Sequence, residues 1–380
     1  MVVIFDYTYY KDEKTVEKYH YTFDNPIEKH IARTLEEVGT VVEQAEKLQK
    51  EGYYVALYLP YEAASYYQSQ FQTYQLVDEV YAVCYAFDRP CSKVKTSNTD
   101  VGYKLTMPSF VFSQIREEVM SHICDIQHEI IEGWTYQVNY TTRLVAQANV
   151  SIGALYHELT KQANGNYTVL FDTEEIKVAS ISPELFFQFG RFEGREGVVV
   201  SKPMKGTMPR GHTAEEDIVQ YNKLKHSSKD RAENIMIVDL LRNDIARIAK
   251  QGTVNVKQLC AIETYPTVYQ MTTMVTGEVA PQMTLNDMLT GLFPCGSITG
   301  APKVHTMAII HRLESTPRYI YCGTIGLLRP QGNAIFNVPI RTVQQRGDQF
   351  IYGVGAGITI DSDPVQEYKE FQDKTKILKG

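Results

Sequence analysis

The stretch Ser201-Lys-Pro-Met-Lys-Gly-Thr-Met-Pro-Arg-Gly211 carries one amine, Lys205, in an unusually stiff setting. Pro203 and Pro209 lack backbone donors and fix φ. Gly206 and Gly211 permit conformations that other residues avoid. The stretch follows Val198-Val199-Val200, a β-branched run that reads as the end of a buried strand. A lysine held among apolar neighbours such as Met204 is a potential nucleophile, because a neutral amine can attack an electrophile. Taken alone, the same residues also read as a surface turn with a solvated lysine.

Three other groups have spacings that suit chemistry. Phe293-Pro-Cys-Gly-Ser-Ile-Thr-Gly-Ala-Pro-Lys-Val304 is a Gly-rich loop that runs into a helix, where free N–H groups can hold a carboxylate or phosphate. It lacks the Gly-Lys-Ser/Thr ending of a Walker A loop. Asp230 and Glu233 lie three apart in a helical pattern and share a face. Asp363-Pro-Val-Gln366 is a helix start with Asp as N-cap, and it sets Glu367, Glu370 and Lys374 on one face of a last helix. Two acidic faces without His or Cys suit a hard cation such as Mg²⁺; they also read as solvated surfaces. Gly353-Val-Gly-Ala-Gly357 lies between β-branched runs and not before a helix, so it is no dinucleotide fingerprint. Glycines in a strand point instead to close approach of the backbone to a ligand. Arg341, in the strand pattern Phe336 to Val343, alternates away from the apolar set and could clamp a carboxylate.

The elements that must position these residues fill a chain of 380 residues, enough for a large core. A net charge of −7 argues against a general nucleic-acid binder. No apolar run approaches membrane-spanning length, and the first residues show no signal peptide. The six cysteines form no C-x-x-C pair, and scattered cysteines suit a reducing cytoplasm. Strands are expected at both halves of residues 1–25, and at 53–59, 80–87, 133–143, 167–171, 176–180, 253–256 and 268–279. Helices are expected from Asn25-Pro26, and over about 34–52, 108–132, 151–162, 229–241 and 285–292. Residues 88–106 read as a surface connection and Asn164-Gly-Asn166 as a turn. No repeat or flexible linker is visible, so residues 1–380 are expected to form one domain, with 1–132 as an N-terminal portion and 133–376 as the motif-bearing portion.

Taken together, GWTYQVNYTTR (133–143), SPELF (182–186), KPMKGTMPRG (202–211), KDRAENIMIVDLLRND (229–244), FPCGSITGAPK (293–303), YCGTIG (321–326), FNVPIRT (336–342) and GVGAGITIDSDPVQEYKE (353–370) resemble the chorismate-utilising enzymes. The likeness is greatest to their aminodeoxychorismate synthase branch. It implies an α+β fold of two large, mainly antiparallel β-sheets packed as a sandwich and surrounded by helices. Lys205 stands where that branch has Lys and anthranilate synthases have Ala. Gln137 stands where isochorismate and salicylate synthases have a water-activating lysine, so ammonia is the implied nucleophile.

The resemblance further implies Glu184 as general acid, Lys205 as covalent nucleophile, and Glu233, Glu370, Asp230 and Glu367 around Mg²⁺. Thr207, Ser297, Thr299, Tyr321, Arg341, Lys374 and the backbone at Gly355 and Gly357 are implied substrate contacts. Gln270 stands where many relatives carry His. Asn164-Gly-Asn166 lacks the Pro-containing segment of tryptophan-binding relatives. No glutaminase-type Cys–His signature is present, so a separate glutamine amidotransferase subunit is expected to supply ammonia. The implied substrate is chorismate. The alternatives are an anthranilate synthase and an inactive chorismate-binding protein.

Overall fold

A computed structural model describes residues 1–91, 106–162, 165–330 and 332–379. In chain order the elements are β1 (Val2–Tyr10), β2 (Val16–Phe23), β3 (Glu28–Ala32), α1 (Val38–Lys50), β4 (Tyr54–Leu59), α2 (Ala64–Tyr67), β5 (Ala82–Phe87), β6 (Val111–Phe112), α3 (Arg116–Ile131), β7 (Gln137–Gln147) and α4 (Ile152–Gln162). The chain continues with β8 (Tyr167–Asp172), β9 (Lys177–Ser182), β10 (Leu185–Phe192), β11 (Arg195–Lys202), β12 (Met204–Pro209), α5 (Ala214–Lys225), α6 (Ser228–Ala246), β13 (Asn255–Thr264), β14 (Val268–Glu278) and α7 (Leu285–Leu292). It ends with β15 (Gly300–Ala301), α8 (Lys303–Leu313), β16 (Thr324–Leu328), β17 (Ala334–Asn337), β18 (Thr342–Arg346), β19 (Gln349–Ile358) and α9 (Pro364–Lys374).

The strands make two antiparallel sheets. One runs β15-β7-β19-β18-β9-β8-β1-β2, with β6 beside β7; the other runs β12-β14-β11-β10-β17-β16-β4-β5-β3, with β13 beside β14. This is the α+β sandwich that the resemblance implied. Alternation along the strands explains the layers. Val3, Phe5, Tyr7 and Tyr9 of β1 point inward and meet Val83, Tyr85, Phe87, Ile325 and Leu327 from the other sheet. The reverse face of the ten-stranded sheet is covered by α1, α6 and α7, through residues such as Val42, Leu48, Leu241 and Leu289. The reverse face of the nine-stranded sheet packs on α3, α4, α8 and α9, with Ile123, Leu155, Ile310 and Phe371.

Polar pins cross the apolar middle. Gln188 on β10 is fully buried; its amide accepts from Tyr10 N (2.8 Å) and donates to Tyr10 O (2.8 Å) on the facing sheet. Tyr7 donates to Ile325 O at 3.0 Å, and Asn337 Nδ2 donates to Tyr167 O at 3.2 Å. A buried donor or acceptor without its partner is expensive, so these contacts fix how the sheets register.

Three expectations fail locally. Asn25-Pro26 starts no helix: Asn25 has φ 46° and leads into β3, which pairs with β5 from Glu28↔Ala86 to Ala32↔Ala82. Long-range pairing outweighs the local helix signal there. The helix expected from Pro108 begins only at Arg116, because Val111 and Phe112 pair with Val145 and Leu144 of β7. The strand pattern around Arg341 is two strands, β17 and β18, in different sheets. Arg341 sits at the crossing with φ 51°, so strand alternation does not set its direction. The connection expected over 88–106 falls mostly on residues outside those described, as does Asn164.

The paired bonds of Gln188 generate a stability prediction. Gln188→Leu keeps the volume but leaves Tyr10 N and O without partners. Denaturant titration should show a loss of about 2 kcal/mol or more; an unchanged midpoint would mean the pin is dispensable.

Candidate active site

The Lys205 segment is β12, and its pairing with β14 is broken at one point. Met204 faces Thr272 and Thr207 faces Gln270, so Lys205 and Gly206 together oppose Met271 alone. One extra residue makes a β-bulge, which bends a strand and re-aims a side chain. Gly206 has φ 82°, and a Cβ there would lie 2.8 Å from Cβ of Asp230, so the bulge is pressed against α6. Gln270 Nε2 donates to Gly206 O (2.8 Å), and Thr207 Oγ1 donates to Gln270 Oε1 (2.8 Å).

From this bulge the half-buried Lys205 reaches across to the other sheet. A Cβ added at Gly357 of β19 would collide with Gln137 Nε2 and stand 3.5 Å from Lys205 Nζ. The amine therefore lies beside Gln137 and the bare backbone of Gly357. Gln137 is buried, and its Oε1 has no hydrogen-bond partner among the described residues. The expectation of apolar surroundings fails: the Lys205 charge acts on the carboxyls of Glu184, Glu233 and Glu370.

Glu184 sits where the chain leaves β9 for β10, stepping from one sheet to the other. It is buried; its backbone N–H donates to Ser182 Oγ (3.1 Å) and its Oε1 accepts from Ser297 Oγ (2.7 Å). Burial raises its pKa, and the Ser297 hydrogen bond and the charges of Lys205 and Lys374 offset only part of that. A carboxyl that holds its proton beyond the usual range suits a general acid.

Ser297 belongs to the Gly-rich loop, which is held rigidly. Gly296 packs against Leu240 of α6, where a Cβ would stand 2.5 Å from Cδ2. Lys303 pairs with Asp244 (2.7 Å) and donates to Leu292 O (3.0 Å). Thr299 is fully buried, and its hydroxyl donates to Cys295 O (3.1 Å), which braces the loop. Tyr321 is buried under Gly353, with the Arg143 guanidinium 5.6 Å from its ring centre. Thr207 is exposed on β12, and Arg341 is exposed at its crossing with its charge acting on Tyr352.

The acidic residues of α6 and α9 lie near enough for their charges to act across the two helices. Asp363 caps α9, accepting from Gln366 N at 2.9 Å. Glu367 is buried and accepts from Ser362 Oγ (2.7 Å); burial raises its pKa, and the Glu370 charge adds to this. Burial also raises Glu233, where Lys205 and Lys229 oppose the push from Asp230 and Glu370. For Glu370, burial pulls upward, but Lys374 at 2.7 Å together with the charges of Lys205 and Lys229 outweighs it and leaves the carboxyl below its usual value. Lys374 also donates to Gly355 O (2.7 Å), which fastens α9 to β19. Among the described residues no three metal-ligating side chains are drawn into a closed cage. The carboxylates here are nevertheless all oxygen donors, and neighbouring negative charge pushes Glu233 and Glu367 upward, a crowding of the kind a divalent cation relieves.

Sequence reasoning missed the supports behind the loop. Arg318, buried, donates to Ile298 O (2.8 Å), Asn139 O (2.7 Å) and Glu314 Oε1 (2.6 Å), and Glu314 also accepts from Thr141 N (2.9 Å). Arg143 completes the cluster at 3.3 Å from Glu314. The four-residue spacing of Glu314 and Arg318 was the visible signal.

Residues 104–380 match the family model described as chorismate binding enzyme. The chain belongs to the chorismate-binding enzymes. Aminodeoxychorismate synthase component 1 of Klebsiella aerogenes is 39% identical over 263 residues, covering 69% of this chain and 57% of that protein. The protein of that name from Bacillus subtilis is 37% identical over 260 residues, covering 68% and 53%. Anthranilate synthase component 1 1 of Haloarcula marismortui is 35% identical over 264 residues, covering 69% and 53%. The chorismate-binding chain thus aligns with little more than half the length of these relatives. Its fold matches that of anthranilate synthase component I from Streptococcus pneumoniae, with TM-score 0.77, 20% identity, and coverage of 100% and 90%. It also matches the menaquinone-specific isochorismate synthase MenF of Escherichia coli, with TM-score 0.74, 15% identity, and coverage of 100% and 88%.

The bare backbone at Gly357 yields a prediction for this family member. Gly357→Val would push Gln137 and Lys205 apart, and a displacement near 1 Å lowers turnover on the order of a hundredfold. Thermal unfolding read alongside should show a folded protein; full activity in a folded variant would remove Gly357 from the site.

Proposed function

We propose that this chain converts chorismate and ammonia to 4-amino-4-deoxychorismate, as the component that binds chorismate. The observation that carries the reading is the amine of Lys205 standing beside Gln137 and Gly357, with the protonatable Glu184 within its field. Relatives named aminodeoxychorismate synthase component 1 support it.

On this reading Glu184 gives its proton to the C4 hydroxyl of chorismate while the Lys205 nitrogen bonds to C2. The ring double bonds shift and water leaves. Ammonia then bonds at C4, the double bonds shift back, and the C2–N bond to Lys205 breaks. The net change is chorismate plus ammonia to 4-amino-4-deoxychorismate plus water, with the enolpyruvyl group retained. Two easier displacements replace one difficult substitution of a poor leaving group. Gln137 carries no base for activating water, which favours ammonia as the incoming group. Ser297 also holds Glu184 in place. Thr207, Ser297, Thr299, Tyr321, Arg341, Lys374 and the backbone at Gly355 and Gly357 are proposed substrate contacts.

Glu233 and Glu370, with Asp230 and Glu367 behind them, are proposed to hold Mg²⁺. When bound, the ion would draw electron density from the ring carboxylate as a Lewis acid. Ammonia would come from a glutamine amidotransferase subunit, a partner consistent with the words component 1 in the relatives' names. Among the described residues no helix is long and apolar enough to cross a membrane. A cytoplasmic location is part of the proposal.

Mass analysis of the product from chorismate, Mg²⁺ and an ammonium salt tests the reading. The expected product retains the enolpyruvyl group; fluorescent anthranilate with released pyruvate would favour the anthranilate synthase alternative, and no turnover would favour an inactive binder. Glu184→Gln should slow turnover by about a hundredfold or more. In the unmodified protein the rate should fall as pH rises through the range where Glu184 loses its proton, above that of free glutamate.

A further inference from the structure

We infer that Gln270 is a positioning residue for Lys205, its amide fixing the bulge from which the amine is aimed. This rests on the reading of Lys205 as nucleophile. Gln270 is buried on β14, opposite Thr207. The extra residue in β12 disrupts the regular ladder at Lys205 and Gly206. Both ends of the Gln270 amide fill that gap, one donating to Gly206 O (2.8 Å) and the other accepting from Thr207 Oγ1 (2.8 Å). On the near side of the bulge, Thr273 N donates to Pro203 O at 3.3 Å. Behind it, Gly206 lies against Asp230. The backbone around Lys205 is therefore held from β14 at both ends and blocked by α6, while its side chain stays free to reach Gln137.

Gln270 does not titrate and both its polar ends are used, so it neither gives nor takes a proton. What it supplies is geometry, and attack by a nucleophile depends steeply on geometry. A Met at this position fills similar volume and makes neither bond. A Glu still accepts from Thr207 but turns an oxygen toward the Gly206 carbonyl.

The test is steady-state kinetics of the full chain with chorismate, Mg²⁺ and an ammonium salt, for the unmodified protein, Gln270→Met and Gln270→Glu, with thermal unfolding beside it. Both variants should lose about ten- to a hundredfold in kcat, with KM for chorismate and the unfolding midpoint little changed. Gln270→Asn shortens the reach by one methylene and carries the test should Gln270→Met not fold. It should likewise lower kcat with KM for chorismate little changed. Unchanged kcat in the folded variants, or a rise in KM alone, would each overturn the positioning role while leaving the reading of Lys205 intact. Absence of turnover in the unmodified protein would instead defeat that reading, and this role with it.

Discussion

One extra residue between Met204 and Thr207 lets a lysine on one sheet reach the backbone of the other. Much of the surrounding structure serves that displacement. Gly206 adopts a positive φ and lies against α6; Gln270 replaces the missing ladder bonds; Gly357 leaves room where any side chain would intrude. The two sheets must also keep their registry, or the amine and Gln137 would part. Gln188, Asn337 and Tyr7 hold that registry through bonds across the apolar middle, where unmatched polar groups are expensive.

Charge is arranged around the same point. Lys205, Lys229 and Lys374 are set among Glu184, Glu233, Glu367 and Glu370; burial raises the first three carboxyls, while the lysines leave Glu370 below its usual value. Glu184 is buried with a single hydroxyl donor, and its pKa is raised; Glu370 has a lysine beside it, and its pKa is lowered. The Arg318–Glu314–Arg143 cluster stands behind, holding the loop that presents Ser297 to Glu184.

Much of the site was legible because its parts are local. Helix spacing placed Asp230 with Glu233 and Glu367 with Glu370, and the cap at Asp363 formed as its residues suggested. The glycines of β19 lie in a strand, as their β-branched flanks required. What sequence could not show depends on partners far along the chain. The turn at Asn25 looks like a helix start until β5 is there to pair with. Arg341 looks like a strand residue until its neighbours separate into two sheets. The bulge at Lys205 exists only against β14, and the polar company of its amine comes from α6, α9 and the β9–β10 junction.

The most direct measurement is peptide mapping by mass spectrometry after incubation with chorismate and Mg²⁺ in the absence of ammonium ions. Adduct formation at Lys205 predicts a mass gain of one chorismate less one water on the peptide containing that residue, lost again when an ammonium salt is added. A peptide that stays unmodified while the complete reaction turns over would contradict the covalent role of that amine.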